Sequence, residues 1–579
     1  MKYRKTKSNY DKAPTTCITG FDTCADAGWE QICTRLRTTN ARIITVDCYP
    51  GVDDAEVLNA LRVSLHPDCV ICSEDMFFDP DELTHRMQWH LTDDRVRGIM
   101  YYGEMDDFID PQSLRTLQQK AAQATGRVLI YGVGASKIAS GDILVYADMA
   151  RWEIQLRYRR GMPNFKQNNS DEDFLRKYKR GFFVEWRIAD RHKRQLYSDI
   201  DFYLDTNTPG QPRMVTGEGF RAGLRELTRR PFRLVPYFDP GVWGGQWMRE
   251  VCGLDQDAPN YAWSFDGVPE ENSLYLQYGD VRIETPAMNL VQYQPRQLLG
   301  EKNFARFGAE YPIRFDFLDT MGGQNLSLQV HPLTEYIKSK FGMPYTQDES
   351  YYILDCEETG GVYLGLKEGV NAQQMIADLE TAQAGQQSFD ADRYVNRFPA
   401  KKHDHFLIPA GTVHCSSAGC MVLEVSATPY IFTFKLWDWD RVGLDGLPRP
   451  IHIEDGKKVI QFDRTTSWVR ENLINQFHTL CESDDYTRVQ TGLHALEFVE
   501  TYVDTIRTYS YHTSNGQFSM LNLVDGDAAI VESPTSLFEP YEVHYAETFI
   551  LPADAGDFII RPAHDGQEIK VLRAYVRER

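Results

Sequence analysis

The sequence predicts a multidomain protein, with a mostly parallel α/β sheet at the N-terminus followed by antiparallel β-structure, a sandwich or barrel, to the C-terminus. Three observations carry this expectation. Short β-rich runs alternate with helical patterns over the first part of the chain. A break rich in Pro, Gly, Thr and Asn, LDTNTPGQPR at 204–213, follows them. Beyond Pro231 the pattern changes to many short alternating strands with turn signals. The length, 579 residues, allows three or four domains at about 150 residues each.

In chain order, RIITVDC at 42–48, CVICSED at 69–75, GIMYYGEM at 98–105, RVLIYGV at 127–133 and DILVYADM at 142–149 read as strands. Between them DAEVLNALRVSL and DPQSLRTLQQKAAQATG read as helices. The second helix has strong end signals. Asp110 can cap its first N–H groups, Pro111 suits the first helical position and Gly126 suits a left-handed end. GEGFRAGLRELTRR is a short helix after the break, and KEGVNAQQMIADLETAQAGQQ at 367–387 is a helical insertion among the later strands. A looser region at 473–490 separates a last β unit, in which AETFILPADAGDF at 546–558 echoes HFLIPAGTVH at 405–414.

Hydrophobic residues make up 42% and charged residues 25%, which excludes a largely disordered or fibrous chain. Lys and Arg number 62 against 83 Asp and Glu, a net charge of −21, so neither nucleic acid nor an anionic membrane is an expected partner. No apolar run approaches the ~18 residues of a membrane span. The start, MKYRKTKSNYDKAP, is basic without an apolar core and does not read as a secretory signal. Eleven scattered cysteines, an odd number, read as reduced thiols of a cytoplasmic protein.

The chemistry concentrates in the later strands. In NLSLQVH at 325–331, alternation puts Leu326, Leu328 and Val330 on one face and Ser327, Gln329 and His331 on the other. Gln347, Asp348 and Glu349 lead into the strand SYYILD, and IPAGTVH brings His414 to a strand start. Glu424 lies opposite Leu423 and Val425, and Thr433 and Lys435 opposite Phe432 and Phe434. Each alone is also what a half-exposed strand with a polar outside looks like. Together they equip one face of a β-structure around a pocket mouth. Two imidazoles, a carboxylate and an amide oxygen suit a first-row divalent metal, zinc by default.

From about Val235 onward the chain resembles class I mannose-6-phosphate isomerases, which are cupin-fold metalloenzymes. The matching pieces are GVWGGQWM at 241–248, the strand ending FLDT, LSLQVHP at 326–332, DESYYIL at 348–354, FLIPAGTVH at 406–414, LEVS at 423–426 and WDWDRVGLDGLPRPIHI at 437–453, in family order. The resemblance implies two cupin jelly-roll β-barrel domains, a metal-binding one at 232–472 and a metal-free one at 473–579, after an α/β domain at 1–231. It places one zinc ion on Gln329, His331, Glu349 and His414. It implies a reaction on a small sugar phosphate, mannose 6-phosphate to fructose 6-phosphate through a cis-enediol. Lys435 stands at the place of the family's catalytic Arg, and Glu424 and His452 are the candidate proton-shuttling bases. Ser327, Arg314 and Gln347 are the candidate substrate contacts.

Three departures from the family pattern bear on the phosphate. Asp316, in YPIRFDFLD, stands where a Lys is usual, with Arg314 two residues earlier on the same face as its potential substitute. Gln347 replaces a second Lys. Lys435 keeps a charge but loses the bidentate fork of Arg. Two alternatives therefore stay open: an isomerase or epimerase of a different or unphosphorylated sugar, and a metal-bound sugar-sensing module without turnover.

Weaker signals have plainer readings. Cys69 and Cys72 form a lone C-x-x-C inside a strand, a buried thiol pair. The Gly132–Ser136 stretch lacks the G-x-x-x-x-G-K-[ST] pattern and reads as a tight turn. DILVYADMARWEIQLRYRRG at 142–161 loosely resembles the later part of P-loop sugar and nucleoside kinases, but the phosphate-cradling motif is absent. Asp148, Arg151, Arg157, Arg159 and Arg160 there also fit a solvated helix face. His403 and His405 read as exposed loop histidines.

Overall fold

The computed structural model describes residues 2–3, 8–427, 432–443, 446, 449–492 and 494–577. The basic stretch at 4–7 and positions 444, 445, 447 and 448 of the Trp-rich motif lie outside the described residues. The chain is a mixture of helices and several sheets, and no helix among the described residues is long and apolar enough to cross a membrane.

The first sheet has seven strands, in the order Ala25–Ala27, Arg213–Thr216, Phe202–Asp205, Ile143–Asp148, Ile43–Cys48, Val128–Gly132 and Cys69–Cys72. The last five are mutually parallel, and Arg213–Thr216 runs antiparallel to both of its neighbours, Phe202–Asp205 and Ala25–Ala27. Helices cover it because the apolar spacing asks for them. Val57, Leu61 and Leu65 bury one stripe of Asp54–Leu65, whose N-terminus is capped by Asp53 accepting from Glu56 N. Asp110 accepts from Gln112 N and Ser113 N at the head of Pro111–Gln123, and Gly126 takes φ +76° beyond its end.

Several readings differ. GIMYYGEM does not form a strand. Met100 N donates to Phe341 O (2.9 Å) and Tyr101 N to Phe183 O (3.0 Å), so its backbone is bound to other elements. The break at 204–213 is a connection inside the first sheet, between Phe202–Asp205 and its antiparallel neighbour Arg213–Thr216. The region at 473–490 holds strands His478–Glu482 and Tyr486–Gly492, paired at a sheet edge, and its polarity reflects that exposure. The arginine-rich helix Arg151–Arg159 is a solvated face only at its end, where Arg159 and the following Arg160 are exposed, while Asp148 before it is buried. Arg151 and Arg157 are buried, Arg151 pairing with Asp190 and Glu270 and Arg157 with Glu153 (3.0 Å). The N–H groups of Gly134 and Ser136 are taken by Asp47, as befits a tight turn.

A three-stranded sheet joins distant parts of the chain. Thr15–Cys17 runs parallel to Ser273–Tyr278, which pairs with Val281–Pro286. Next come a six-stranded sheet, ordered His405–Ile408, Glu349–Cys356, Cys420–Ser426, Arg314–Asp319, Trp263–Gly267 and Tyr237–Asp239, and a five-stranded one, ordered Val395–Pro399, Gly361–Leu366, His414–Ser416, Leu328–Val330 and Phe434–Trp437. Leu318, Tyr351 and Val422 of the first share a core with Leu328, Leu364 and Cys415 of the second. Neither sheet closes on itself among the described residues, so the expected barrel takes the form of two packed sheets. The predicted helical insertion is Ala372–Gln383. In GVWGGQWM, Gly245 is required by a close approach: a Cβ there would meet Asp319 Oδ1 at 2.1 Å, and Asp319 Oδ2 accepts from Met248 N at 2.8 Å. The C-terminal part packs a six-stranded on a four-stranded sheet.

His405 is not in an exposed loop. It is fully buried in the strand His405–Ile408 against the Tyr352 ring, and neither ring nitrogen makes a well-formed hydrogen bond. Burial pushes its pKa down from 6.5 to about 3. Between those values the unfolded chain binds a proton that the folded chain refuses, so stability is lost as pH falls from 6.5 toward 3. His405→Leu is expected to flatten this acid limb by about 2 kcal/mol at pH 5 while changing pH 7 stability less. Urea unfolding at the two pH values measures it, and an unchanged limb would contradict it.

Candidate metal centre

Strand register builds the site. In the six-stranded sheet Arg314 pairs with Ser426, Asp316 with Glu424 and Glu349 with Ser426, so Arg314, Asp316, Glu349 and Glu424 share one face. In the five-stranded sheet Gln329 lies between His414 and Lys435. The two faces meet. His331 Nε2 lies 3.1 Å from Glu349 Oε2, and His414 Nε2 lies 2.8 Å from Glu349 Oε1. One ligand atom from each of the three residues falls within 4.8 Å of the others, and all three are buried. Gln329 Nε2 is 3.1 Å from His414 Nε2, and a half-turn of the amide would bring Oε1 there instead.

The imidazole tautomers are set by the backbone. His331 Nδ1 donates to Phe432 O (2.7 Å) and His414 Nδ1 to Thr412 O (2.8 Å). Each neutral ring then turns an Nε2 lone pair toward a carboxylate oxygen. His331 Nε2 and Glu349 Oε1 have no hydrogen-bond partner. Buried acceptors facing acceptors call for a cation, or for protonated rings. Burial raises the Glu349 carboxyl, but were the two rings protonated their charge and hydrogen bonds would override it and hold it well below the usual carboxylate range. The residues present fit a divalent ion.

Local chemistry explains how His414 arrives. Gly411 holds φ +90° in the IPAGT turn, where a Cβ would also meet Gln461 at 2.7 Å. Arg464 Nη1 grips the Pro409 and Ala410 carbonyls at 2.7 Å, and Asp348 Oδ1 accepts from Ala410 N at 2.8 Å. The turn is thereby tied to the strand of Glu349.

Around the ligands lies a buried polar network. Gln347 Nε2 donates to Glu349 Oε2 (2.8 Å) and Glu424 Oε1 (3.2 Å), and its Oε1 accepts from Phe432 N (2.7 Å). Expected to face substrate, it is bound to protein on all sides. Arg314, fully buried, reaches Asp316 at 3.3 Å and Glu424 at 3.0 Å, so its charge is engaged internally, although it also walls a cleft of about 280 Å³ beside Glu310 and Tyr345. Burial, then Asp316 and Glu349, push Glu424 well above the carboxylate range, and burial raises Asp316 to about 6.

On the other flank Ser327 Oγ donates to Asp438 Oδ1 (2.7 Å), rather than standing open to a ligand. Asp438 also holds Arg441 and Arg449, each at 2.6 Å. Half-buried Lys435 sits beside this cluster. Burial and then Arg449, with Arg97 and Arg441, lower its pKa to about 7 against the pull of Asp438. His452 is not aimed at the ligands. Its N donates to Lys435 O (2.8 Å), and its ring lies near Phe434 and 3.9 Å from Asp94. Asp438, Arg441 and Arg449 stood in the quoted Trp-rich motif without being singled out. Phe432 reads in the sequence only as an apolar-face residue, and Arg97 carries no signal, because backbone and inter-element contacts define their roles.

The curated relatives are named mannose-6-phosphate isomerases. The chain is 24% identical over 337 residues to the probable mannose-6-phosphate isomerase GmuF of Bacillus subtilis (strain 168), covering 57% of this chain and 96% of the relative. It is 27% identical over 247 residues to the mannose-6-phosphate isomerase of Streptococcus mutans serotype c, covering 41% and 72%. The crystal structure of the mannose 6-phosphate isomerase from Bacillus subtilis overlays 60% of this chain and 99% of its own at a TM-score of 0.49 and 18% identity. A family described as a domain of unknown function (DUF8485) matches residues 28–229.

Zinc titrated into apoprotein is expected to raise thermal stability by about 2.7 kcal/mol at a hundredfold excess over its Kd. Glu349→Gln and His414→Ala should each abolish the gain. An equal gain in these variants would show that the ion binds elsewhere.

Proposed function

We propose that the chain is a zinc-dependent aldose–ketose isomerase that interconverts mannose 6-phosphate and fructose 6-phosphate through a cis-enediol, in the cytoplasm. That it is an isomerase enzyme follows from its relatives, which it matches over nearly their whole length. The observation that carries the reaction is the convergence of His331, Glu349 and His414. On this reading Gln329, His331, Glu349 and His414 hold the ion, within a cupin domain at 232–472. A metal-free cupin domain at 473–579 follows, and an α/β domain at 1–231 precedes it. Kinase activity of the α/β domain is not part of the proposal. The helix start after Ile43–Cys48, where a phosphate loop would lie, carries Asp53 and Asp54.

An ion held there supplies Lewis acidity to a neighbouring sugar oxygen. The chain's own groups supply the rest. Glu424 lies next to the ligand set, and burial beside Asp316 and Glu349 raises its pKa and so its basicity; as a carboxylate it can take the proton from one sugar carbon and return it to the adjacent one. Gln347 and Arg314 fix its Oε1. Lys435, poised near neutrality, meets developing negative charge or a phosphate together with the Asp438 arginines.

A second reading, isomerisation or epimerisation of an unphosphorylated or different sugar, is favoured by one observation. Arg314, the substitute for a missing family Lys, is bound to two carboxylates. Zinc-loaded protein assayed against phosphorylated and free aldoses decides between the readings. Turnover of mannose 6-phosphate well above that of free mannose supports the first, and the reverse order overturns it. In the active assay Glu424→Gln should lower kcat by about 10²–10⁴. Lys435→Ala should depress kcat more than it raises KM. Wild-type-like kinetics in both variants would remove these residues from the reaction.

A further inference from the structure

One segment of the α/β part, residues 92–103, reaches the surroundings of the metal centre. Asp94 Oδ1 accepts from Val96 N and Arg97 N, both at 2.7 Å, and Thr92 Oγ1 donates to Arg97 O at 2.7 Å. Ile99 N donates to His90 O at 2.7 Å, anchoring the far side. The segment is then fastened to the helix Thr334–Phe341. Met100 N donates to Phe341 O (2.9 Å), and Tyr102 Oη donates to Gly342 O (2.7 Å).

Arg97, 5% exposed, lies with its guanidinium 5.3 Å from the Phe432 ring centre and 5.1 Å from that of Phe434. The Phe341 ring packs on Phe432 from 4.6 Å. Phe432 is the residue whose carbonyl fixes the His331 tautomer and whose N–H is held by Gln347, which in turn donates to Glu349. A single residue therefore has its backbone in the ligand network and its ring under an arginine from the α/β part.

We propose that Arg97 is a positioning residue for the metal centre: its guanidinium pins the Phe432 ring, and the pinned backbone orients His331 and Glu349 toward the ion. This rests on the metal-centre reading above, and it gives the α/β part a structural task there. The physics is a cation over an aromatic face in a desolvated place, combined with a backbone hydrogen bond that sets imidazole orientation. The positive charge of Arg97 would by itself repel a divalent ion. A loss of metal affinity on its removal therefore reports positioning rather than charge.

The test is zinc affinity of the full chain by chelator competition, with apoprotein melting as the check on folding. Loss of a partner behind a ligand typically weakens metal binding by about 10–100-fold, and the lower end is expected for Arg97→Ala. Arg97→Lys, which keeps a cation over the ring, should stay within about threefold of wild type. Phe432→Leu should also weaken binding, and adding Arg97→Ala to it should change affinity by less than about twofold. Should Arg97→Ala not fold, Arg97→Gln carries the same comparison. Unchanged affinity in Arg97→Ala or Arg97→Gln, or full additivity with Phe432→Leu, would overturn the proposal. Catalytic turnover is not the readout. A chain that binds zinc and isomerises no sugar would sink the proposed reaction and leave this inference standing.

Discussion

Two imidazole nitrogens and a carboxylate face one another in a space closed to solvent, and much of the surrounding structure serves that confrontation. Left alone, such acceptors repel and pay the cost of burial without a partner. The backbone sharpens the demand, because Phe432 O and Thr412 O claim the Nδ1 protons and leave Nε2 as the inward atom of each ring. The wider network points the same way. Asp316, Glu349 and Glu424 crowd around one guanidinium, that of Arg314, so a divalent ion would balance what the protein leaves unbalanced.

Holding these atoms in place takes two sheets and their loops. Glu349 comes from one sheet and Gln329 and His414 from the other, so their distances depend on how the sheets pack. The turn before His414 is secured by Arg464 and by Asp348, the neighbour of Glu349, so the two ligand-bearing segments move together. Polar residues first expected to meet substrate turn out to be bound within this scaffold. Ser327 is on Asp438, Gln347 is on Glu349 and Glu424, and Arg314 is on its carboxylates. Charge toward a ligand is left mainly to Lys435 and the arginines gathered at Asp438.

The α/β part is joined to the remainder by more than the chain. Arg151 pairs with Glu270, Arg187 reaches the same carboxylate at 2.5 Å, and Thr15–Cys17 adds a strand to Ser273–Tyr278. The buried ion pairs have little standing as a source of stability, since desolvation offsets much of their attraction. Their effect is to fix how the α/β helices meet the β-structure. That geometry presents residues 92–103 to the Phe432 ring.

Local signals in the sequence determined the elements that depend on near neighbours. Apolar spacing and Asp caps set the helices at 54–65 and 111–123, and period-two alternation sorted Ser327, Gln329 and His331 onto one face. The likeness of ordered motifs to a known family also brings Gln329, His331, Glu349 and His414 together from the sequence alone. Tertiary structure alone decided where backbone groups found partners. It left GIMYYGEM without a strand to pair with, drew the break at 204–213 into a sheet and buried His405. It also decided which charges face each other. Strand alternation places Arg314 and Glu424 on known faces, but only cross-strand register puts them 3.0 Å apart. Residues such as Arg97 and Phe432, far apart in sequence, acquire a relation only when separate sheets and loops pack. Local periodicity cannot encode that relation, because it is a property of the packed chain and not of either segment.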